Sequence, residues 1–132
     1  MANAMIGNHP SHSYQLVESL DTTGKQLTPA DSGKIFMCDQ NSTADVVCFL
    51  PQISTKVAGW HAKFVMRTVS SKDFAIVAYG SAHAGATVAA ADAIEFTESG
   101  STAGDWCEIF TDGSKWYAHV HSSADAGVVS AG

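Results

Sequence analysis

Short runs of β-branched and aromatic residues, separated by turn residues, follow one another along the chain from Tyr14 onward. Turn residues recur about every ten positions, a spacing typical of a sandwich or a barrel. Long amphipathic helical patterns are absent from the sequence. We therefore predict an all-β fold: a single β-sandwich or barrel-like, jelly-roll-like domain. The predicted strands cover residues 14–20, 34–39, 45–50, 60–69, 74–79, 86–90, 93–97, 105–111 and 115–121.

The clearest alternation of apolar and polar side chains lies in the segment from Trp60 to Val69. Successive side chains of a strand point to opposite faces, so every second residue shares a face. We predict a core face and a partly solvated face. The core face comprises Trp60, Ala62, Phe64, Met66 and Thr68, and the other comprises His61, Lys63, Val65, Arg67 and Val69.

The last two predicted strands are joined by a segment that contains Asp112 and Gly113. An Asp-Gly pair supplies the positive φ angles of a tight turn, so the segment predicts a hairpin. Trp106 and Trp116 flank this hairpin, and two interpretations stay open for them: pairing across the strands or forming part of a binding face.

Two segments carry the signals of short helical turns within the β pattern. The first spans residues 28–33, with Thr28 as the cap, Pro29 at the first helical position and Gly33 closing the turn. The second spans residues 51–59 and closes at Gly59. Neither segment is long enough to form a helical layer.

The first thirteen residues are rich in Asn, His, Ser and Gly and show no periodicity. We predict two regions: an extended N-terminal arm over 1–13 and a β domain over 14–132. Arms of this composition often become ordered on a partner.

Charge and composition exclude several classes of protein. Only 15% of the residues are charged, the formal net charge is −6, and the seven basic residues are scattered along the chain. Nucleic-acid binding requires clustered Lys and Arg, so no nucleic-acid partner is expected. The N-terminus has no pattern of a signal peptide, and no apolar run is long enough for a membrane span. The three cysteines, Cys38, Cys48 and Cys107, predict buried free thiols and folding in a reducing cytoplasm.

No catalytic constellation emerges from the motifs. Ser81 and Ser114 follow glycines but lack the flanking pattern of a nucleophilic serine. The carboxylates Glu95, Glu98, Asp105, Glu108 and Asp112 are expected on a solvated strand face. His119 and His121 share a face and, with His61, are an alternative metal set, although a polar surface pair is the preferred interpretation. We expect no enzyme, no cofactor and no bound metal.

Four segments resemble a β module of tailed-phage virion proteins. Its pattern has a Leu-Thr-x-x-Asp-Ser-Gly-Lys turn, a Leu-Pro strand end, and a last hairpin with Asp-Gly-x-x-Trp-Tyr. The segments are Gln26–Lys34, Phe49–Pro51, Ala58–Val65 and Gly104–Tyr117. They are most similar to small head decoration, or cement, proteins, and related modules occur in phage tail fibres. The region from 26 to 117 covers about two-thirds of the chain.

The resemblance implies a structural virion protein, assembled in the host cytoplasm, that binds the outer surface of a phage capsid. It implies bridging of major capsid subunits, and self-association as a homotrimer. Partner contacts are expected at Ile6, His9, Pro10, His12 and Tyr14, in and just after the arm. The alternative is a tail-fibre or spike module that binds a host-surface glycan.

Overall fold

The computed structural model describes residues 16–78, 93–124 and 127–131. Two five-stranded sheets pack face to face within this part of the chain. The predicted all-β, sandwich-like fold is confirmed. The predicted arm, 1–13, lies outside the described residues, and so does the predicted strand at 86–90.

In the residues that the structure describes, ten strands form the two sheets. In chain order they are β1 (Val17–Leu20), β2 (Lys25–Gln26), β3 (Ile35–Asp39), β4 (Val46–Phe49), β5 (His61–Thr68), β6 (Phe74–Val77), β7 (Ala93–Phe96), β8 (Trp106–Thr111), β9 (Trp116–His121) and β10 (Val128–Ala131). The first sheet has the order β9-β8-β5-β3-β1, and the second has the order β10-β7-β6-β4-β2. Eight of these strands overlap the predicted ones, while β2 and β10 were not predicted.

The first six strands alternate between the two sheets. Within the first sheet β1, β3 and β5 pair in parallel, and within the second β2, β4 and β6 do the same. The chain therefore winds around the core three times before the remaining strands add antiparallel pairs. The likeness to a jelly roll holds for the two packed sheets and not for the strand directions, since jelly rolls are antiparallel.

The winding places the connections at two ends of the sandwich. The turn end contains the connections 27–34, 50–60 and 112–115, and the polar end contains 40–45, 69–73, 97–105 and 122–127. The predicted helical turns are both at the turn end, as the 3-10 helices Pro29–Asp31 and Thr55–Val57. The predicted hairpin is also confirmed, and Gly113 has a φ of 92°.

One hydrophobic core fills the space between the sheets. The predicted core face of β5 is confirmed for Ala62, Phe64 and Met66, whereas Thr68 is exposed at the strand end. The rings of Phe36 and Phe64 stack across β3 and β5 with centroids 5.2 Å apart. The three thiols are free and buried, as predicted. No helix among the described residues is long and apolar enough to cross a membrane.

Candidate interaction surface

The four segments that carry the resemblance meet at the turn end of the sandwich. Leu27 N–H donates to Phe49 O at 2.8 Å, which joins the first segment to the second. The indole Nε1 of Trp60 donates to Thr28 O at 3.0 Å, which joins the third to the first. Gly59 N–H donates to Thr111 O at 2.9 Å, which joins the third to the fourth. Residues far apart in sequence thus build one continuous structure.

A buried carboxylate organises the first turn of this end. Asp31 accepts a hydrogen bond from Thr28 N–H at 2.8 Å and pairs with Lys34 Nζ at 2.7 Å. Burial alone would raise the pKa of Asp31, but the hydrogen bonds from Lys34 and Thr28 outweigh it and lower the pKa. Lys34 also reaches Glu18 of β1 at 2.8 Å. The Asp-Ser-Gly-Lys motif therefore ties the first turn to the edge of the first sheet.

The hairpin tip packs against the second turn. A Cβ added to Gly113 would lie 3.1 Å from Ala58 Cβ and 3.2 Å from Ser54 O. Asp112 holds the tip with its carboxylate, which accepts from the N–H groups of Ser114 and Lys115 at 2.8 and 2.9 Å. These backbone bonds are the main cause that lowers the pKa of Asp112. Ser114 thus contributes its backbone N–H to the turn.

A groove of about 380 Å³ runs between the two turns, lined in part by Leu27, Pro29, Pro51 and Val57. Behind it Trp60 packs edge-on against Trp116, with centroids 5.3 Å apart and ring planes at 86°. Both indoles are buried. Trp116 therefore belongs to the core, and it does not pair with Trp106 across the hairpin.

The polar end is organised by Asp105, which is only 2% exposed. Its carboxylate accepts four hydrogen bonds: from Thr102 N–H, Ser122 Oγ, and both the N–H and the Oγ of Ser123. Burial alone would raise its pKa, but these bonds together lower it. The expectation of a solvated carboxylate is wrong here, because the side chain points into the loops that follow β7 and β9.

Gln40 is the second buried polar group at this end. Its Nε2 donates to Phe96 O at 2.9 Å and to Ser101 Oγ at 3.0 Å, and its Oε1 accepts from Ser70 N–H at 2.7 Å. These bonds connect β3 of the first sheet with the end of β7 in the second. Sequence reasoning missed both Gln40 and Asp105 as organising residues.

Aromatic and histidine side chains line the outer face of the first sheet. The cross-strand register places the side chains of this face in rows that run across β5, β8 and β9. One row contains His61, Phe110 and Tyr117, and the next contains Lys63, Glu108 and His119. The Phe110 and Tyr117 rings stack with centroids 5.6 Å apart, and Phe110 is 41% exposed. We call the face formed by β5, β8 and β9 the histidine-aromatic face.

Trp106 lies in the third row of this face, flanked by residues of both neighbouring strands. From β9, the His121 ring stacks on it with centroids 5.7 Å apart, and the His119 ring meets it edge-on at 5.5 Å. From β5, Lys63 Nζ lies 4.4 Å from the ring centroid. Side chains of the neighbouring strands therefore cover part of the indole, and less of the ring surface is available to a ligand.

The predicted histidines are only partly brought together. His119 and His121 do share a face, while His61 lies opposite Phe110, in the row that ends at Tyr117. In the part of the chain that the structure describes, no group of three or more His, Cys, Asp or Glu could hold a metal ion. The expected partner contacts Ile6, His9, Pro10, His12 and Tyr14, and also Ser81, lie outside the described residues.

The outer face of the second sheet offers a contrast to the histidine-aromatic face. Ala75, Val77 and Ala93 are fully buried there and form a small second cluster with Val47 and Phe49. Compared with this cluster, the described residues of the histidine-aromatic face present more exposed polar and aromatic side chains.

Comparisons with protein-family models, with curated proteins and with solved structures find no match for this chain.

Proposed function

We propose that this protein is a structural virion component that binds the outer surface of a phage capsid and stabilises it by bridging major capsid subunits, as a homotrimer. The observation that carries the proposal is the convergence of the four resembling segments at the turn end. The segments are hydrogen-bonded to one another, for example from Trp60 to Thr28. This supports the interpretation that they define one fold together, and it argues against a chance similarity of separate turns.

Three of the described carboxylates also support a role in contact. Asp31, Asp105 and Asp112 each bond to backbone N–H groups of a connection, which is a use in folding. A protein whose polar side chains hold loops in place contributes by the area and shape of its surface. Many copies, each with a modest preference for the assembled shell, would make the shell harder to open.

The test is the position and the number of copies in the assembled particle. We expect an outer-shell position and a copy number comparable to that of the major capsid protein. A few copies at the tail tip would overturn the proposal.

A second experiment addresses the arm. Deleting residues 1–13 is expected to weaken binding to capsid shells that lack this protein, while the melting temperature of the isolated domain stays the same. Substituting Ile6, His9, Pro10, His12 and Tyr14 by Ala in the full chain is the matched variant that keeps the length. Unchanged binding by both variants would remove the arm from the proposal.

The alternative function, glycan binding by a fibre or spike module, is favoured by one observation: the exposed Phe110 ring, which stacks on the half-buried Tyr117. Aromatic rings with an accessible face are usual in ligand sites. If this alternative is correct, the wild-type chain should bind a host-surface glycan and Phe110→Ala should abolish that binding. Capsid binding by the wild-type chain without glycan binding would favour the decoration role.

A further inference from the structure

The two edges of the first sheet differ in how their backbone groups are used. Two backbone hydrogen bonds mark the two ends of β8. Thr111 N–H donates to Trp60 O, just before β5, and Asp105 O, just before β8, accepts from Met66 N–H. The odd-numbered residues of β8 therefore bond to β5. The even-numbered residues of β8 therefore bond to β9, where Glu108 lies opposite His119. Backbone bonding alternates along a strand, which points the N–H and C=O groups of Ala118 and Val120 away from the sheet.

This free edge of β9 is accessible. Within the described ranges, no backbone hydrogen bond joins Ala118 or Val120 to a strand on the far side of β9. The side chain of Val120 is 42% exposed, on the side of the sheet that faces the core. Among the described residues, this six-residue strand thus presents a row of backbone donors and acceptors without a strand partner, next to an exposed apolar side chain.

The opposite edge, β1, carries the devices that prevent strand pairing. It has four residues, and Glu18 in its middle is paired with Lys34 and Lys25. Short length and charged side chains are the usual protection of an edge strand. By contrast β9, with the sequence WYAHVH, contains no Asp, Glu, Lys or Arg.

We propose that β9 is a docking edge for a second copy of this chain, with the two β9 strands antiparallel about a two-fold axis at His119. Continuous sheet faces require that paired residues lie on the same side, so Ala118 of one copy faces Val120 of the other. Both residues direct their backbone groups outward, and each such pair forms two hydrogen bonds. The exposed Val120 side chain would then cover the smaller Ala118.

The charge distribution of the chain favours a second copy as the partner at this edge. The whole chain has a net charge of −6, so most self-contacts bring like charges together. The β9 strand carries no formal charge with His neutral, and its self-pairing places no like charges opposite each other. The contact is independent of capsid binding; on a shell it would link neighbouring molecules across local two-fold axes.

The first test is self-association of the full chain, measured by sedimentation velocity over a range of concentrations. The two-fold contact is separate from the contact that holds the proposed trimer. We therefore expect a pairwise association step, of monomers into dimers or of trimers into hexamers, that Val120→Lys weakens about tenfold or more, because a charge on the inner side of an edge strand opposes pairing. The matched control is Val17→Lys, an exposed valine on the protected edge, which should not change the equilibrium. Absence of the pairwise step into the millimolar range, or equal effects of the two substitutions, would overturn the proposal.

Cross-linking tests the same contact without a change in core packing. A two-fold axis at His119 brings the two copies of that residue together as a non-hydrogen-bonded pair, close enough for a disulfide. His119→Cys should therefore form a covalent dimer with oxidised glutathione, and His121→Cys, an exposed residue on the same face, should form much less. The three native thiols are buried and do not compete. Equal cross-linking of the two variants, or none, contradicts the proposed pairing.

Discussion

The two ends of the sandwich fix their connections in different ways. At the turn end two carboxylates hold their own loops through residues close in sequence: Asp31 bonds to Thr28, and Asp112 bonds to Ser114 and Lys115. At the polar end Gln40 bonds to residues 30, 56 and 61 positions away. At the turn end these carboxylates act within their own loops, whereas at the polar end the Gln40 side chain joins loops that are distant in sequence.

The ends contain matched residues, which makes the difference testable. Asp105 and Asp112 both accept hydrogen bonds from backbone N–H groups and hydroxyls, one buried and one exposed. Gln40 and Gln26 both donate their side-chain amides to backbone carbonyls, again one buried and one exposed. Because an unsatisfied buried group costs more than an exposed one, the same substitution should have unequal effects.

Asp105→Ala is expected to have the largest effect. It removes the acceptor of four hydrogen bonds and leaves the N–H groups of Thr102 and Ser123 without it, so we expect a loss of about 3 kcal/mol in the free energy of unfolding. Asp112→Ala, the matched control, should cost much less because water replaces its bonds. Urea denaturation of both variants measures the difference, and equal losses would contradict the contrast between the ends.

Gln40→Leu is expected to have the next largest effect. The substitution keeps the side-chain volume but leaves Ser70 N–H and Phe96 O without their partner, at a cost of about 2 kcal/mol. Gln26→Leu at the exposed turn end should stay within about 0.5 kcal/mol of the wild type. If Gln26→Leu costs as much as Gln40→Leu in thermal unfolding, burial is not the deciding factor.

The contrast also explains what the sequence could and could not predict. The turn end was predicted closely, because Pro29, Gly33, Gly59 and Gly113 mark turns by their own backbone preferences. The polar end was not predicted, since nothing next to Gln40 in the sequence signals a partner 56 residues away. Asp105 was misassigned for the same reason, since its donors Ser122 and Ser123 lie 17 and 18 positions away.

Strand pairing shows the same limit at the level of the sheets. Alternation predicted eight of the strands and the inner face of β5, because side-chain period is a local property. It could not distinguish parallel from antiparallel neighbours, so the threefold winding of β1 to β6 was not predicted. The short β2, Lys25–Gln26, has no alternation to detect and is defined by its parallel pairing with β4.

The smallest expected effect is the response to acid, which separates the two ends by the nature of their hydrogen-bond donors. Asp31 and Asp105 both have lowered pKa values in the folded chain, so their contributions are present above about pH 4 and are lost as the pH falls through the folded pKa. Asp31 owes part of its shift to Lys34, whereas the donors to Asp105 are neutral. The contribution of each carboxylate to the pH dependence of stability is the difference between the wild type and its Asn variant, Asp31→Asn or Asp105→Asn. Screening by about 1 M salt should reduce this contribution for Asp31 and leave it unchanged for Asp105. Urea midpoints at several pH values, with and without salt, measure both; equal salt sensitivity would show that the two carboxylates are held by the same kind of interaction.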